Sequence, residues 1–210
     1  KNMAWIYLKL GDTERARKFY AKAAALNPRD PSARAMLGAL LRKEGKLDEA
    51  IEFLRKCVTQ LPDSGLLREE LGIAYHAAGL EHQALMAFQK AAEVQPLRPA
   101  PYMYQAAISL SHNNFDRAIA LLKRSLSLAE SAEAHNLLGI AYARTGHTER
   151  ALEEFRRAFK LKPVLSGVAD NAANTLMDLG RSNAAREFCV RAQKLGRPCH
   201  RETLKRLNTK

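Results

Sequence analysis

The chain has 210 residues, of which 47% are hydrophobic and 7% aromatic, and its formal net charge is +12. No run reaches the roughly 18 uninterrupted apolar residues that a membrane-spanning helix needs. The sequence also lacks a phosphate-binding glycine loop, a GxSxG or HExxH motif and an aspartate-rich calcium loop. Composition therefore favours a soluble protein with a long buried core and argues against an integral membrane protein or an enzyme.

Alanine recurs along the chain at intervals of 34 residues, with one interval of 33, and a glycine usually stands five residues before it. A fixed period of this length predicts one structural unit copied six times. The predicted units, in chain order, are 1–30 (incomplete), 31–64, 65–98, 99–131, 132–165 and 166–199. Residues 200–210 follow as the start of a basic helix or a tail.

Each unit predicts a helix, a turn and a second helix, as the unit 65–98 illustrates. Leu71 and Gly72 fall on one face of the first helix, where the small residue lets a second helix approach closely. Gly79 then ends that helix, and Ala84 begins the packing stripe of the second one. A proline near the end of most units prevents the helix from continuing.

The fourth unit, 99–131, departs most from this pattern and is one residue short. Polar or acidic residues replace the usual Leu, Tyr, Gly, Ala and Pro at Gln105, Ser109, Asn113, Ser125 and Glu130. Ala106, Ala118 and Leu122 still hold packing positions, so we expect a helical hairpin here with a less regular stack.

These residues and spacings resemble the tetratricopeptide repeat family over essentially the whole chain. The match is most specific in 65–96 and 132–163, where eight signature positions are filled in each unit, the second time by Leu138, Gly139, Tyr142, Gly146, Ala151, Phe155, Ala158 and Pro163. The resemblance implies an all-α, right-handed superhelical solenoid of helix–turn–helix repeats. It also implies that the first helices line a concave groove, where peptides bind, and that the second helices form the convex surface.

Counting from the signature positions gives a predicted set of groove residues, which we call the inner-face set. The residues in the middle of this set are apolar. Contiguous exposed apolar side chains mark a recognition surface. The alternative is that these residues partly pack against neighbouring helices. We expect Ile73 and Tyr104 to be largely exposed. The set comprises Trp5, Met36, Arg42, Lys43, Glu69, Glu70, Ile73, His76, Met103, Tyr104, Asn136, Ile140, Arg144, Asn171 and Asn174.

Positive charge is concentrated towards the C-terminus. Residues 144–210 hold 15 Lys or Arg against 7 Asp or Glu, a net of +8, whereas residues 1–143 hold 19 against 15, a net of +4. This basic convex patch is interpreted either as a solvated face or as a contact for an acidic protein, anionic lipid or nucleic acid. Nucleic acid is the least favoured of these, because no aromatic residues interleave with the basic ones. The patch comprises Arg156, Arg157, Lys160, Arg186, Arg191 and Lys194.

The chaperone-binding members of the family grip a terminal carboxylate with Lys, Asn and Arg side chains at fixed positions. Here Trp5 and Met36 stand where the asparagines are needed, and Leu66 and Glu70 replace the last Lys and Arg. This carboxylate clamp is therefore disfavoured.

Cysteine and histidine carry little predicted chemistry. Cys57 and Cys189 occupy packing positions, so reduced, packed thiols are expected, and the odd count favours a reducing compartment. A metal site at Cys199 and His200 is disfavoured because no CxxC pair accompanies them. The remaining histidines are interpreted mostly as solvated residues of turns and exposed helix faces, at His76, His82, His112, His135 and His147.

Two functions remain open from the sequence. One is a protein-interaction scaffold whose groove holds a peptide or helix of a partner, or of another copy, in bacterial envelope, pilus or magnetosome-type organelle assembly. The other is an electrostatic adaptor whose basic half docks on an acidic protein or anionic membrane. No cofactor or metal is expected. A cytoplasmic location is expected, with a periplasmic or membrane-associated one left open because Lys1 falls inside a predicted helix, as in a truncated chain.

Overall fold

The computed structural model describes residues 2–165 and 167–208, and these residues form helices and connecting turns without a strand. The all-α prediction is confirmed. Six helical hairpins follow one another along the chain and a thirteenth helix ends it. The helices are α1 (Asn2–Lys9), α2 (Thr13–Leu26), α3 (Pro31–Lys43), α4 (Leu47–Gln60), α5 (Gly65–Ala77), α6 (Glu81–Val94), α7 (Pro99–Ser111), α8 (Phe115–Leu128), α9 (Ala132–Arg144), α10 (Thr148–Leu161), α11 (Val168–Asp178), α12 (Ser182–Lys194) and α13 (Arg201–Asn208).

The turn inside each hairpin is built on a residue in the left-handed backbone region. Gly79, for example, has φ 74°, which a residue without a Cβ adopts at no steric penalty. In the irregular fourth hairpin this position is Asn113, with φ 56°. Asparagine is the side chain that best tolerates this conformation after glycine, so the turn is retained.

Small residues allow the two helices of a hairpin to pack closely. A Cβ added at Gly139 would lie 2.5 Å from a ring carbon of Phe155, and one added at Gly72 would lie 2.6 Å from Phe88. Both phenylalanine side chains are completely buried or nearly so. The glycine therefore provides the space into which the aromatic ring of the second helix fits.

The chain divides into two compact units, residues 1–101 and 102–210, with the division in the first turn of α7. In the first unit, one apolar cluster surrounds Tyr20 and Leu40 and a second surrounds Leu54 and Leu67. In the second unit, one cluster surrounds Phe155 and another joins α10, α11, α12 and α13.

Candidate functional site

The apolar members of the inner-face set in the first unit differ in exposure. Trp5 on α1 is 57% exposed, and the Nζ atom of Lys9 lies 5.3 Å from its ring. Met36 on α3 is half-buried and packs against the cluster around Leu40. Ile73 is also half-buried, so the prediction that it is largely exposed is wrong. The reason is that α5 packs side by side with α3, which covers part of its flank.

Two ion pairs lie among the charged members of the set in the first unit. The guanidinium of Arg98 donates to Glu69 Oε2 from Nη2 and Nε, at 2.6 and 3.1 Å, and this carboxylate is buried. Arg42 and Glu70 form a looser pair across α3 and α5, with 3.9 Å between Nη2 and Oε2. Among the described residues, neither Arg42 Nε nor Glu70 Oε2 has a hydrogen-bond partner, although both atoms are buried.

Burial raises the pKa of Glu70 above its ordinary value. The attraction of Arg42 opposes this effect, and the neighbouring charge of Glu69 adds to it. Desolvation has the larger effect on this pKa, because the ion pair with Arg42 is long and compensates only part of the lost hydration of the carboxylate. Lys43 and His76, by contrast, are exposed on the same two helices.

The apolar members of the inner-face set in the second unit are half-buried rather than fully exposed. Met103 and Ile140 pack against the cluster around Phe155. Tyr104 is also half-buried, so the prediction that it is largely exposed is wrong as well. The alternative interpretation, in which apolar groove residues partly pack against neighbouring helices, therefore holds for Met103 and Ile140. Arg144 at the end of α9 is exposed.

Amide side chains connect the first helices of the second unit. Asn171 Nδ2 on α11 donates to Asn136 Oδ1 on α9 at 3.0 Å. Asn174, one turn further along α11, accepts from Arg206 Nη1 at 3.2 Å and lies 3.5 Å from the Thr203 hydroxyl. The structure thus brings all three predicted asparagines into a polar row that continues onto α13, in which Asn136 and Asn171 are half-exposed.

The basic convex patch is exposed at every one of its six positions. Several of its members nevertheless have a local partner. Arg157 Nη1 lies 3.3 Å from Glu154, the Arg191 guanidinium lies 5.7 Å from the Phe159 ring, and Arg186 donates to the backbone carbonyl of Leu207 at 2.9 Å. The patch therefore combines solvated charges with charges that also support the fold.

Sequence reasoning missed the most buried histidine. The His135 side chain is 2% exposed, and its Nδ1 atom lies 2.5 Å from Glu154 Oε2 while Nε2 lies 3.0 Å from Glu130 Oε2. The interpretation of the histidines as mostly solvated is therefore wrong for this one. The side chain meets Glu154 of the facing helix α10, a contact that the spacing of residues within α9 does not indicate.

The expectation of a reduced thiol is wrong for Cys189. It forms a disulfide with Cys199, with 5.4 Å between the Cα atoms, and only Cys57 is a free, buried thiol. Residues ten apart can meet because α12 ends between them and the chain folds back. The neighbouring His200 donates its backbone N–H to Asp170 Oδ1, and its Nδ1 lies 2.7 Å from Oδ2.

Comparison with known proteins places this architecture in a family. The sequence matches tetratricopeptide repeat family models over residues 1–65 and 132–163, and the fold between and beyond these segments repeats the same hairpin. The chain is a tetratricopeptide repeat protein.

Curated relatives match this tetratricopeptide repeat protein over only part of their own length. It is 25% identical over 164 residues to the BBSome complex member BBS4 of Bos taurus, which covers 78% of this chain and 31% of the relative. It is 45% identical over 47 residues to the photosystem I assembly protein Ycf3 of Prochlorococcus marinus. This alignment covers 22% of this chain and 27% of Ycf3. The matched segments thus cover less than a third of each of these two relatives.

Solved structures show the same fold at low sequence identity. TTC0263, a thermophilic protein of Thermus thermophilus, aligns with a TM-score of 0.69 and 24% identity, covering 84% of this chain and 96% of that one. The APC/C hetero-tetramer Cut9–Hcn1 aligns with a TM-score of 0.82 and 17% sequence identity. The alignment covers 98% of this chain and 41% of that one. YrrB, described as having an unusual peptide-binding site, aligns with a TM-score of 0.60 and 21% sequence identity. The alignment covers 82% of this chain and 90% of that one. Among the described residues, no helix is both long and apolar enough to cross a bilayer.

Proposed function

We propose that this chain is a non-catalytic binding scaffold that holds a peptide or helix of a partner protein on the inner face of its first helices. The fold is that of a protein–protein interaction scaffold. The observation that carries the finer proposal is the mixed character of this face in the second unit: half-buried apolar side chains such as Tyr104 and Ile140 accompany the partly exposed amides of Asn136 and Asn171.

The chemistry of the face suits an extended or helical polypeptide. The exposed parts of these half-buried apolar side chains can contact the apolar residues of a ligand, and a half-buried aromatic anchor loses little conformational freedom on binding. The Asn136 and Asn171 side chains offer both donors and acceptors, which is what a peptide backbone requires. A member of the fold with a peptide-binding site, YrrB, and an assembly protein, Ycf3, support this proposal by analogy.

An assembly role in a bacterial envelope, pilus or organelle stays a prediction. So does self-association. A second candidate function, docking through the basic convex patch, is favoured by the exposed charges of Arg156, Lys160 and Lys194. Ionic strength distinguishes the two: an electrostatic contact weakens steeply with salt, whereas an apolar inner face does not.

The test uses a peptide selected from a displayed library by the intact chain. Tyr104→Ala should weaken its binding in calorimetry by about 1–2 kcal/mol, because aromatic anchors carry a large share of binding energy. Trp5 is the only tryptophan and is exposed on α1, so its fluorescence reports independently on ligands that reach this helix.

The matched control is Arg156→Gln with Arg157→Gln on α10. The inner-face proposal expects this pair to leave binding unchanged. If the pair abolishes binding while Tyr104→Ala has no effect, the binding surface is the convex patch instead.

A further inference from the structure

Two loops at one end of the second unit lie next to each other. The loop after α10 and the loop after α12 together line a cavity of ≈ 180 Å³, to which Pro163 and Leu165 contribute from one loop and Arg197 and Pro198 from the other. We call residues 160–165 and 194–197, at the ends of α10 and α12, the loop edge.

Three large apolar side chains protrude from the loop edge. Leu161 is 50% exposed, Val164 is 47% exposed and Leu195 is 48% exposed. Leu161 ends α10 and Leu195 follows the last residue of α12, so the two occupy equivalent places in consecutive hairpins. One exposed apolar residue needs no explanation, but three at the neighbouring ends of α10 and α12 are a reason to look for an interaction site.

Basic residues flank two of these side chains in the sequence. Lys160, Lys194 and Arg197 are exposed within one or two residues of Leu161 or Leu195. Lys160 and Lys194 carry charge in the last turns of their helices.

Three acidic groups of the second unit, Glu130, Glu133 and Asp170, are already engaged by other side chains. Lys162 Nζ donates to Glu133 at 2.7 Å, and both carboxylate oxygens of Asp170 accept from His200. Glu130 lies against His135 at 3.0 Å. The charge that the edge offers to a partner is therefore predominantly positive.

The disulfide fixes the second of these loops. Leu195 and Arg197 lie inside the ring closed by Cys189 and Cys199, and Cys199 is buried in the apolar cluster of the unit. The loop thus presents its apolar and basic side chains from a constrained backbone, which reduces the entropy lost on docking.

We propose that the loop edge docks on an anionic lipid bilayer. Basic side chains beside protruding apolar ones match an interface of phosphate headgroups over hydrocarbon, with each part recognised by the corresponding side chains. A protein partner would need pockets complementary to the three protruding side chains, whereas a bilayer accepts them without preformed pockets. This docking uses none of the inner-face residues. It shares Lys160 and Lys194 with the basic convex patch and adds to that second candidate function a defined site and a lipid as the partner.

The experiment is co-sedimentation of the intact, disulfide-bonded chain with vesicles. Binding is expected on an equal mixture of phosphatidylcholine and phosphatidylglycerol and not on phosphatidylcholine alone. Lys160→Gln, Lys194→Gln and Arg197→Gln should each weaken association by about fivefold. The triple variant Leu161→Ser, Val164→Ser and Leu195→Ser keeps the charge, and it should weaken association by about tenfold or more because the apolar insertion is lost.

The matched control again pairs Arg156→Gln with Arg157→Gln, which lie earlier on α10 and should change binding by less than about twofold after screening by salt. The proposal is overturned if vesicles do not bind, if the control pair weakens binding as much as the loop-edge charges do, or if the serine triple variant binds like the parent. Equal or tighter binding to poly-glutamate at the same salt concentration would assign the edge to an acidic protein and also overturn it. Far-UV circular dichroism melts verify that each variant is folded. Because the readout is lipid binding, it succeeds or fails independently of peptide binding by the inner face.

Discussion

The environment of a side chain decides its role more strongly than its type in this molecule. Of the histidines, His76 is exposed on α5, whereas His135 is enclosed on α9 between two carboxylates. Glu69 and Glu70 are adjacent in the chain, yet Glu69 receives two close hydrogen bonds and Glu70 has a distant, incomplete ion pair. The two positions therefore respond differently to substitution.

Removing the His135 imidazole should destabilise the second unit. His135→Ala leaves Oε2 of the buried Glu154 carboxylate without its 2.5 Å partner, while Oε1 keeps Arg157 at 3.3 Å, and an unsatisfied buried polar atom costs about 1–3 kcal/mol. Urea unfolding measures the loss. The double variant His135→Leu with Glu154→Leu should recover part of it, since a buried polar pair can be replaced by apolar residues of similar volume. His76→Ala is the control and should stay within about 0.5 kcal/mol of the parent.

Glu70 should make the protein less stable as pH rises. Because burial raises its pKa in the folded state, the folded chain holds the proton more tightly than the unfolded chain does. The stability from this difference is fully present below the ordinary glutamate pKa and is lost as pH increases through the folded pKa. Glu70→Gln keeps the neutral form. Its melting temperature should therefore equal that of the parent in acid and exceed it at neutral pH.

Glu133 provides the opposite control for Glu70. The hydrogen bond from Lys162 lowers the pKa of Glu133, so its stabilising contribution is present above the ordinary glutamate pKa and lost as pH falls through the folded value. Glu133→Gln should lower the melting temperature at neutral pH. If Glu70→Gln behaves in the same way as Glu133→Gln, the account of Glu70 is wrong.

At the scale of the element, the hairpin depends on small residues at fixed places. Gly139 admits the Phe155 ring, and Ala151 on the facing helix is completely buried. The fourth hairpin keeps this geometry with polar residues. Ser125 is 1% exposed at a position that other units fill with alanine, and the buried Ser109 hydroxyl donates to the backbone carbonyl of Gln105 at 2.9 Å. Small volume and a satisfied hydrogen bond thus suffice where the apolar residue is missing.

Enlarging a small residue at these places should destabilise the fold. Ala84→Leu, Ala151→Leu and Gly139→Ala should each lower the free energy of unfolding by about 1–3 kcal/mol, because the closely packed rings cannot withdraw. Ala143→Leu, at an exposed position of α9, should leave it within about 0.5 kcal/mol. Unchanged melting temperatures for the first three would show that the hairpin seam is looser than described.

At the scale of the whole molecule, α13 closes the end of the second unit. Its buried residues Thr203 and Leu207 are four apart, as are Ala134 and Leu138 of α9, so it offers the preceding hairpin the same pair of contacts as a first helix does. Arg206 also pairs with Asp178, and the disulfide holds the connecting loop. Covalent, apolar and polar contacts together keep α13 in place.

Breaking the disulfide should loosen α13 before the rest of the chain unfolds. Cys199→Ser, or reduction of the parent, should decrease stability by about 2–4 kcal/mol, and amide hydrogen exchange should accelerate at 201–208 first. Reductant should have no further effect on Cys199→Ser. If reductant leaves the exchange of 201–208 in the parent unchanged, the non-covalent contacts alone hold the helix.

The sequence by itself determined the all-α fold of helical hairpins and the small residues of the tight helix seam. These properties are local and periodic: glycine or asparagine is needed for a left-handed turn, and small residues at i, i+4 spacing create a packing stripe wherever they recur. Asn113 and Ser125 lay outside the pattern, yet their conformational tolerance and small volume preserve the same element.

Only the tertiary structure decided which side chains form pairs, which are buried and which are exposed. His135 meets Glu154 and Cys189 meets Cys199 because separate segments of the chain converge, and no spacing rule contains that convergence. Ile73 and Tyr104 are half-buried because burial depends on neighbouring elements as well as on the face of their own helix. A repeat fixes the backbone of each unit from local sequence, whereas ionisation, disulfide pairing and exposure arise from contacts that only the folded chain brings together.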